Sequence, residues 1–151
     1  MPTHFTGSRV ELRTLDTFIK LTRCTNSVLA RLAEKGTVGE LTNSQFAVLE
    51  ALYHLGHMTQ GEISIKVLKS GSNMTTVIDN LERDGLVRRE RDAKDRRVIH
   101  VYLTEAGTGV IEAVLPGHVA ALVEEFKVLS ASEQQTLGAL CKKLGKGRES
   151  R

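Results

Sequence analysis

The chain is poor in cysteine. Its 151 residues hold two, Cys24 and Cys141, too few for a disulfide framework and without the paired spacing of a zinc site. Reduced thiols, and therefore a cytoplasmic protein, are the expectation. Long hydrophobic runs are missing too. The opening MPTHFTGSRVELRTL lacks the apolar stretch of a signal peptide, and no apolar run is expected to span a bilayer, so no membrane partner is assigned. There is no Gly-x-Ser-x-Gly elbow and no glycine-rich phosphate loop. Hence no catalytic residue, no cofactor and no enzymatic activity is assigned. His54 and His57 lie across a helix end and His118 stands alone, which is not a converging metal set, so no metal is assigned either. Repeats and low-complexity linkers are absent, and the length suits one domain, or one small domain with helical arms.

What the sequence does contain is order. The spacing predicts a first helix over 9–35, with Leu12, Leu15, Phe18, Ile19, Val28, Leu29 and Leu32 on a loose stripe, closed by Gly36 and Gly39. Thr42-Asn43-Ser44-Gln45 is a capping box opening a second helix, which ends at Gly56. Met58-Thr59 reads as a short extended link, 60–68 as a short helix, and 69–71 as a turn. A helix over 72–84 follows. Met74, Val77, Ile78 and Leu81 give it one apolar stripe. Its other face carries Ser72, Asn73, Thr75, Thr76 and Asn80, short side chains able to bond base edges or phosphates. Gly85 stands where a left-handed residue ends a helix.

Residues 88–97, RRERDAKDRR, hold six basic and three acidic residues, so this hairpin carries the chain's whole net charge of +3. Ile99, Val101 and Leu103 then alternate with Val98, His100 and Tyr102, a half-buried strand over 98–103 opened by Arg97. A solvated charge run is the plain alternative. Helix, link, helix, turn, helix and basic hairpin is however the order of a winged helix-turn-helix. The expected fold is mainly α with a small β-hairpin wing, flanked by long dimerisation helices. The divisions are 1–41, an N-terminal arm; 42–103, the DNA-binding module; and 104–151, C-terminal dimerisation helices. In the last segment Thr104 caps a helix to about Leu129, interrupted and kinked at Pro116-Gly117, and Ser130-x-x-Glu133 caps another with Leu137, Leu140, Cys141 and Leu144 on one side. So much apolar stripe calls for a partner, most simply a second copy. Cys24 is read as a buried or half-buried small residue, and Cys141 as core.

The chain resembles the MarR family of bacterial transcriptional regulators over nearly its whole length. The motif residues are Ser70-x-x-x-Met74-Thr75-x-x-Ile78-Asp79-x-Leu81-Glu82-x-x-Gly85-Leu86-Val87, then Arg89-x-x-Asp92-x-x-Asp95-Arg96-Arg97, then Leu103-Thr104-x-x-Gly107. The resemblance implies a homodimer on palindromic double-stranded DNA, released by a small phenolic or other aromatic acid or by an oxidant. It also implies a wing arginine in the minor groove, placed by an Asp-x-Arg motif, here Asp95 and Arg97. Candidate DNA-binding residues are Ser70, Ser72, Asn73, Thr75, Thr76, Arg89, Lys94, Asp95, Arg96 and Arg97. The hydroperoxide-sensing branch places a reactive Cys where Phe18 or a neighbour stands, and tyrosines where Asn43 and Phe46 stand. The zinc-sensing branch carries a His-x-x-x-His pair of which only His118 is present. A ligand-responsive repressor is the leading expectation. A thiol switch through Cys24, or a helical interaction module without a DNA role, are the alternatives.

Overall fold

The computed structural model describes residues 4–67 and 71–147. The chain forms two compact units, Thr37–Val119 and Met1–Gly36 with Ala120–Arg151. Its elements are α1 (Arg9–Lys35), α2 (Asn43–Leu55), β1 (Met58–Thr59), α3 (Gln60–Val67), α4 (Gly71–Arg83), β2 (Val87–Arg91), β3 (Ile99–Leu103), α5 (Glu105–Phe126) and α6 (Ala131–Lys146). The fold is mostly helical with a small sheet, as the sequence predicts, and the sheet has three antiparallel strands where a two-stranded hairpin is expected.

The unit Thr37–Val119 holds the core. Thr42 Oγ1 accepts the Gln45 N–H at 3.1 Å while Gln45 Oε1 accepts the Thr42 N–H at 3.0 Å, so two donors left over at the start of α2 are satisfied. Leu49, Ile63, Met74, Ile78, Leu81 and Val101 are fully buried together. Burying a side chain of this size contributes roughly 1.5–3 kcal/mol. The stripe predicted on α4 is therefore its inner face. The helix stops at Gly85, whose φ of +74° lies in the left-handed region. Leu86 N–H reaches Leu81 C=O at 2.9 Å and Gly85 N–H reaches Glu82 C=O at 3.0 Å, a Schellman closure.

The Thr104-x-x-Gly107 motif has a packing reason. Thr104 Oγ1 donates to Gly85 C=O at 2.7 Å and accepts the Gly107 N–H at 3.0 Å. A Cβ on Gly107 would lie 2.0 Å from the Leu86 carbonyl oxygen. Only glycine lets the first turn of α5 sit against the end of α4. His118 is also structural: its Nδ1 pairs with Thr37 Oγ1 at 2.9 Å and its ring packs on Phe46.

The sheet order is β1-β3-β2. Met58-Thr59 is more than a link: Met58 pairs with Val101 and Thr59 with His100, making a third strand. The strand β3 starts at Ile99, later than expected, because the Val98 N–H is taken by Asp95 C=O at 3.0 Å. Arg97 thus lies in the turn and does not open the strand.

The second unit comprises α1, the end of α5, and α6. Ser8 with Glu11 and Ser130 with Glu133 form capping boxes. Arg31 and Lys35 pair with Glu125 at 2.5 and 3.1 Å. Three expectations are corrected here. Cys24 and Cys141 are both exposed, because their stripes meet little within the chain and α6 buries none of its described residues. They line one groove with Leu21, Val28, Phe126 and Leu137. The helix α5 is unbroken at Pro116. It is also long and apolar enough to cross a bilayer, contrary to expectation, because its Ala, Gly, Val and Leu residues are spread along it without forming one continuous apolar run. Val110, Ile111, Val114 and Leu115 on it pack on the core of the first unit, which accounts for part of that apolar surface.

Candidate nucleic-acid interface

Burying the Met74–Ile78–Leu81 side of α4 leaves the opposite side outside. Asn73, Thr75 and Thr76 are exposed on it. Ser70 lies outside the described residues, and of Ser72 only the backbone is described. Gln60, at the start of α3, donates from Nε2 to Thr75 Oγ1 at 2.6 Å. This tie between the two helices orients the Thr75 hydroxyl. Sequence reasoning missed Gln60, because nothing in local spacing announces a contact fifteen residues away.

The wing tip is a loop held by two carboxylates. Asp92 Oδ2 accepts the N–H groups of Lys94 and Asp95, both at 3.0 Å. Its Oδ1 meets His100 Nε2 at 3.0 Å. The hydrogen bond from His100, then those from the two amides, hold the Asp92 carboxyl below the usual range. Asp95 repeats the pattern on Arg97. Arg97 Nε and Nη2 reach Asp95 Oδ1 and Oδ2 at 3.1 Å each, and the Arg97 N–H reaches Oδ1 at 3.0 Å. That two-pronged pairing, with the backbone bond second, lowers the Asp95 pKa. The Arg97 side chain is 90% exposed, so it lies in solvent with the Nε–Nη2 edge of its guanidinium held by Asp95. Lys94 and Arg96 are exposed beside it. A groove lined by Thr59, Gln60, Gly61, Arg97, Val98 and Ile99 separates the wing base from the start of α3.

Arg89 sits elsewhere. Its guanidinium pairs with Asp79 at 2.7 Å and Glu82 at 3.1 Å, and its N–H reaches Glu82 at 3.1 Å. Only 19% of its side chain is exposed. It ties β2 to α4 and fixes the angle between the helix and the wing. A count of charges cannot separate this arginine from Arg97. Asp79 and Glu82 face it because they lie three apart on α4.

An outward polar helix, a second helix tied across it, and a basic hairpin on a three-stranded sheet define a winged helix-turn-helix DNA-binding protein. The comparisons agree. A family model described as the MarR family matches residues 41–99. The HTH-type transcriptional regulator MhqR of Bacillus subtilis is 33% identical over 88% of this chain and 92% of its own length. The HTH-type regulator YkoM of the same organism is 39% identical over 68% of this chain and 66% of its own. Among solved structures, a MarR-family regulator from Silicibacter pomeroyi superposes with a TM-score of 0.72 at 30% identity, covering 87% of this chain and 89% of its own. The PcaV regulator of Streptomyces coelicolor, solved with its natural ligand, gives 0.72 at 25% identity over 84% and 90%. The chain belongs to the MarR family of transcriptional regulators.

Proposed function

We propose that this chain is a repressor that binds palindromic operator DNA as a homodimer in the cytoplasm and releases it on binding a small aromatic or phenolic acid. The observation that carries the DNA half is the wing arginine: the Arg97 side chain is exposed, and Asp95 forks its guanidinium along the Nε–Nη2 edge and so sets its direction. In this reading Asn73, Thr75 and Thr76, with Ser72, meet base edges in the major groove, and Ser70 is a further DNA-binding residue. Lys94 and Arg96 meet phosphates, and Arg97 enters a narrow minor groove whose negative potential attracts arginine. Arg89 acts through the scaffold. The dimer is supported by the apolar residues left exposed on α1 and α6, among them Phe18, Leu140 and Leu144. Ligand response is supported by the family and by a solved relative carrying its natural ligand. Selection of bound genomic fragments, followed by binding at several salt concentrations, tests the proposal. A steep salt slope with strong preference for a few palindromic fragments is expected. Equal affinity for all fragments, or no binding, contradicts it.

One observation favours a second mode of release. Cys24 and Cys141 are exposed and line the same groove. A hydroperoxide that converts the two thiols to a disulfide, giving an alcohol and water, would link α1 to α6. Release by peroxide that is abolished in Cys24→Ser supports this mode, and release unchanged in that variant removes it.

A further inference from the structure

We propose that His100 is a positioning residue for DNA binding: through Asp92 it fixes the wing-tip backbone from which Asp95 aims Arg97. The proposal deepens the reading of the wing given above and rests on it.

The connection can be followed atom by atom. His100 lies in β3, paired with Glu90 in β2 and Thr59 in β1, so its backbone is held by the sheet on both sides. Its ring is held as well. It packs edge-on against His57 at 5.7 Å, His57 stacks on Tyr102 at 4.5 Å, and the Arg88 guanidinium lies 4.4 Å above Tyr102. This row of rings covers the outer face of the sheet, and the His100 side chain within it is 24% exposed. An ionised carboxylate only accepts hydrogen bonds, so the His100 Nε2 carries the proton that Asp92 Oδ1 receives at 3.0 Å. With Oδ1 anchored, Oδ2 is turned towards the loop, where it takes the N–H groups of Lys94 and Asp95. The second of these belongs to the residue whose own carboxylate forks Arg97.

The relay therefore runs from a rigid strand to an exposed arginine through two carboxylates. Neither carboxylate is buried, and an exposed pair adds little stability. Its effect is directional. Without the bond from His100 the Asp92 carboxylate can turn about its side-chain torsions, the amides of 94 and 95 lose a fixed acceptor, and the Asp95–Arg97 fork drifts as a unit. His100 itself has no need to touch DNA. A side chain that merely filled the sheet face would satisfy the ring contacts but not the bond to Asp92.

The test is a double-mutant cycle of His100→Ala and Arg97→Ala on operator DNA, with thermal unfolding of each variant alongside. Alone, His100→Ala is expected to weaken binding about three- to fivefold, the range of a lost exposed pair. In the Arg97→Ala background it is expected to change binding by less than about 1.5-fold, because the residue it aims is gone. His100→Gln, whose amide can still donate to Asp92, is expected to recover affinity to within about twofold of the parent. Losses that simply multiply in the double variant overturn the proposal, as does failure of His100→Gln to recover binding while its unfolding temperature matches the parent. Full binding by His100→Ala while Arg97→Ala is weakened overturns this proposal and leaves the wing reading standing. Full binding by Arg97→Ala overturns the wing reading and this proposal together.

Discussion

The two units use apolar residues in opposite ways. In Thr37–Val119 all seven elements contribute to one buried cluster, from Phe46 in α2 to Ile111 in α5. In the other unit only Leu32 and Ala121 are buried among the described residues, while Leu144 is 64% exposed and Phe18 60%. The winged unit packs one core and leaves fewer large apolar side chains outside, Leu55 and Ile65 among them. The helical unit turns apolar groups outward, among them Phe18, Leu140 and Leu144. One chain thus combines a DNA-binding unit with a packed core and a helical unit whose apolar residues are left exposed.

The largest expected effect lies in the core. Ile78→Ala should cost about 3 kcal/mol of unfolding free energy, within the range for a buried large-to-small change. Leu144→Ala should change the same quantity by less than about 0.5 kcal/mol at a concentration where protomers are separate. Urea unfolding of both variants measures the contrast, and equal losses would break it. Next comes the pairing surface. Leu140→Lys should weaken self-association at least about tenfold, the scale of a central interface residue. Sedimentation over a range of concentrations reports it, and a parent that is monomeric at micromolar concentration would end the dimer account.

Much of this contrast was legible in the sequence, unevenly. The ends of α1, the Thr42 and Ser130 boxes, the Met74–Ile78–Leu81 stripe and the Asp95–Arg97 pair all depend on residues two to four apart, where spacing alone fixes geometry. What escaped depends on distant partners. The strand β1 is two residues long and exists only because β3 lies beside it, some forty residues on. Arg89 looks like every other arginine in its run until α4 brings Asp79 and Glu82 to it. Cys141 sits on an apolar stripe, and a stripe says that a face will be covered without saying by which chain.

Within the winged unit, the helix and the wing should fail differently. Thr76→Ala should weaken binding to a selected site more than to random DNA, by about tenfold at most, as for a lost base contact. Arg97→Ala should weaken both and lower the salt slope by about one unit. Equal losses on both DNAs for Thr76→Ala would mean that α4 does not read sequence.

The smallest effects concern acid. Asp92 and Asp95 in the wing, and Glu125 between Arg31 and Lys35, are all held below their ordinary pKa. A depressed folded-state value stabilises the fold above the ordinary carboxylate range, and that contribution disappears as pH falls through the lowered value. Both units should therefore keep these contacts through the ordinary carboxylate range and lose them only at more acid pH, as it falls through the lowered values. Carboxyl carbon shifts followed by NMR should titrate below the ordinary value at all three residues. A midpoint at the ordinary value for Asp95 would mean that its fork on Arg97 is not populated in solution.

The most direct measurement is the sign of one substitution. Asp95→Ala removes a negative charge from a hairpin that the proposed binding mode sets beside phosphates, so charge counting alone predicts tighter DNA binding. The fork on Arg97 predicts the reverse, because the arginine loses the group that sets its direction. Operator affinity at one fixed salt concentration should fall in Asp95→Ala. Affinity that rises would show that Asp95 only repels DNA, and that the wing does not work by aiming Arg97.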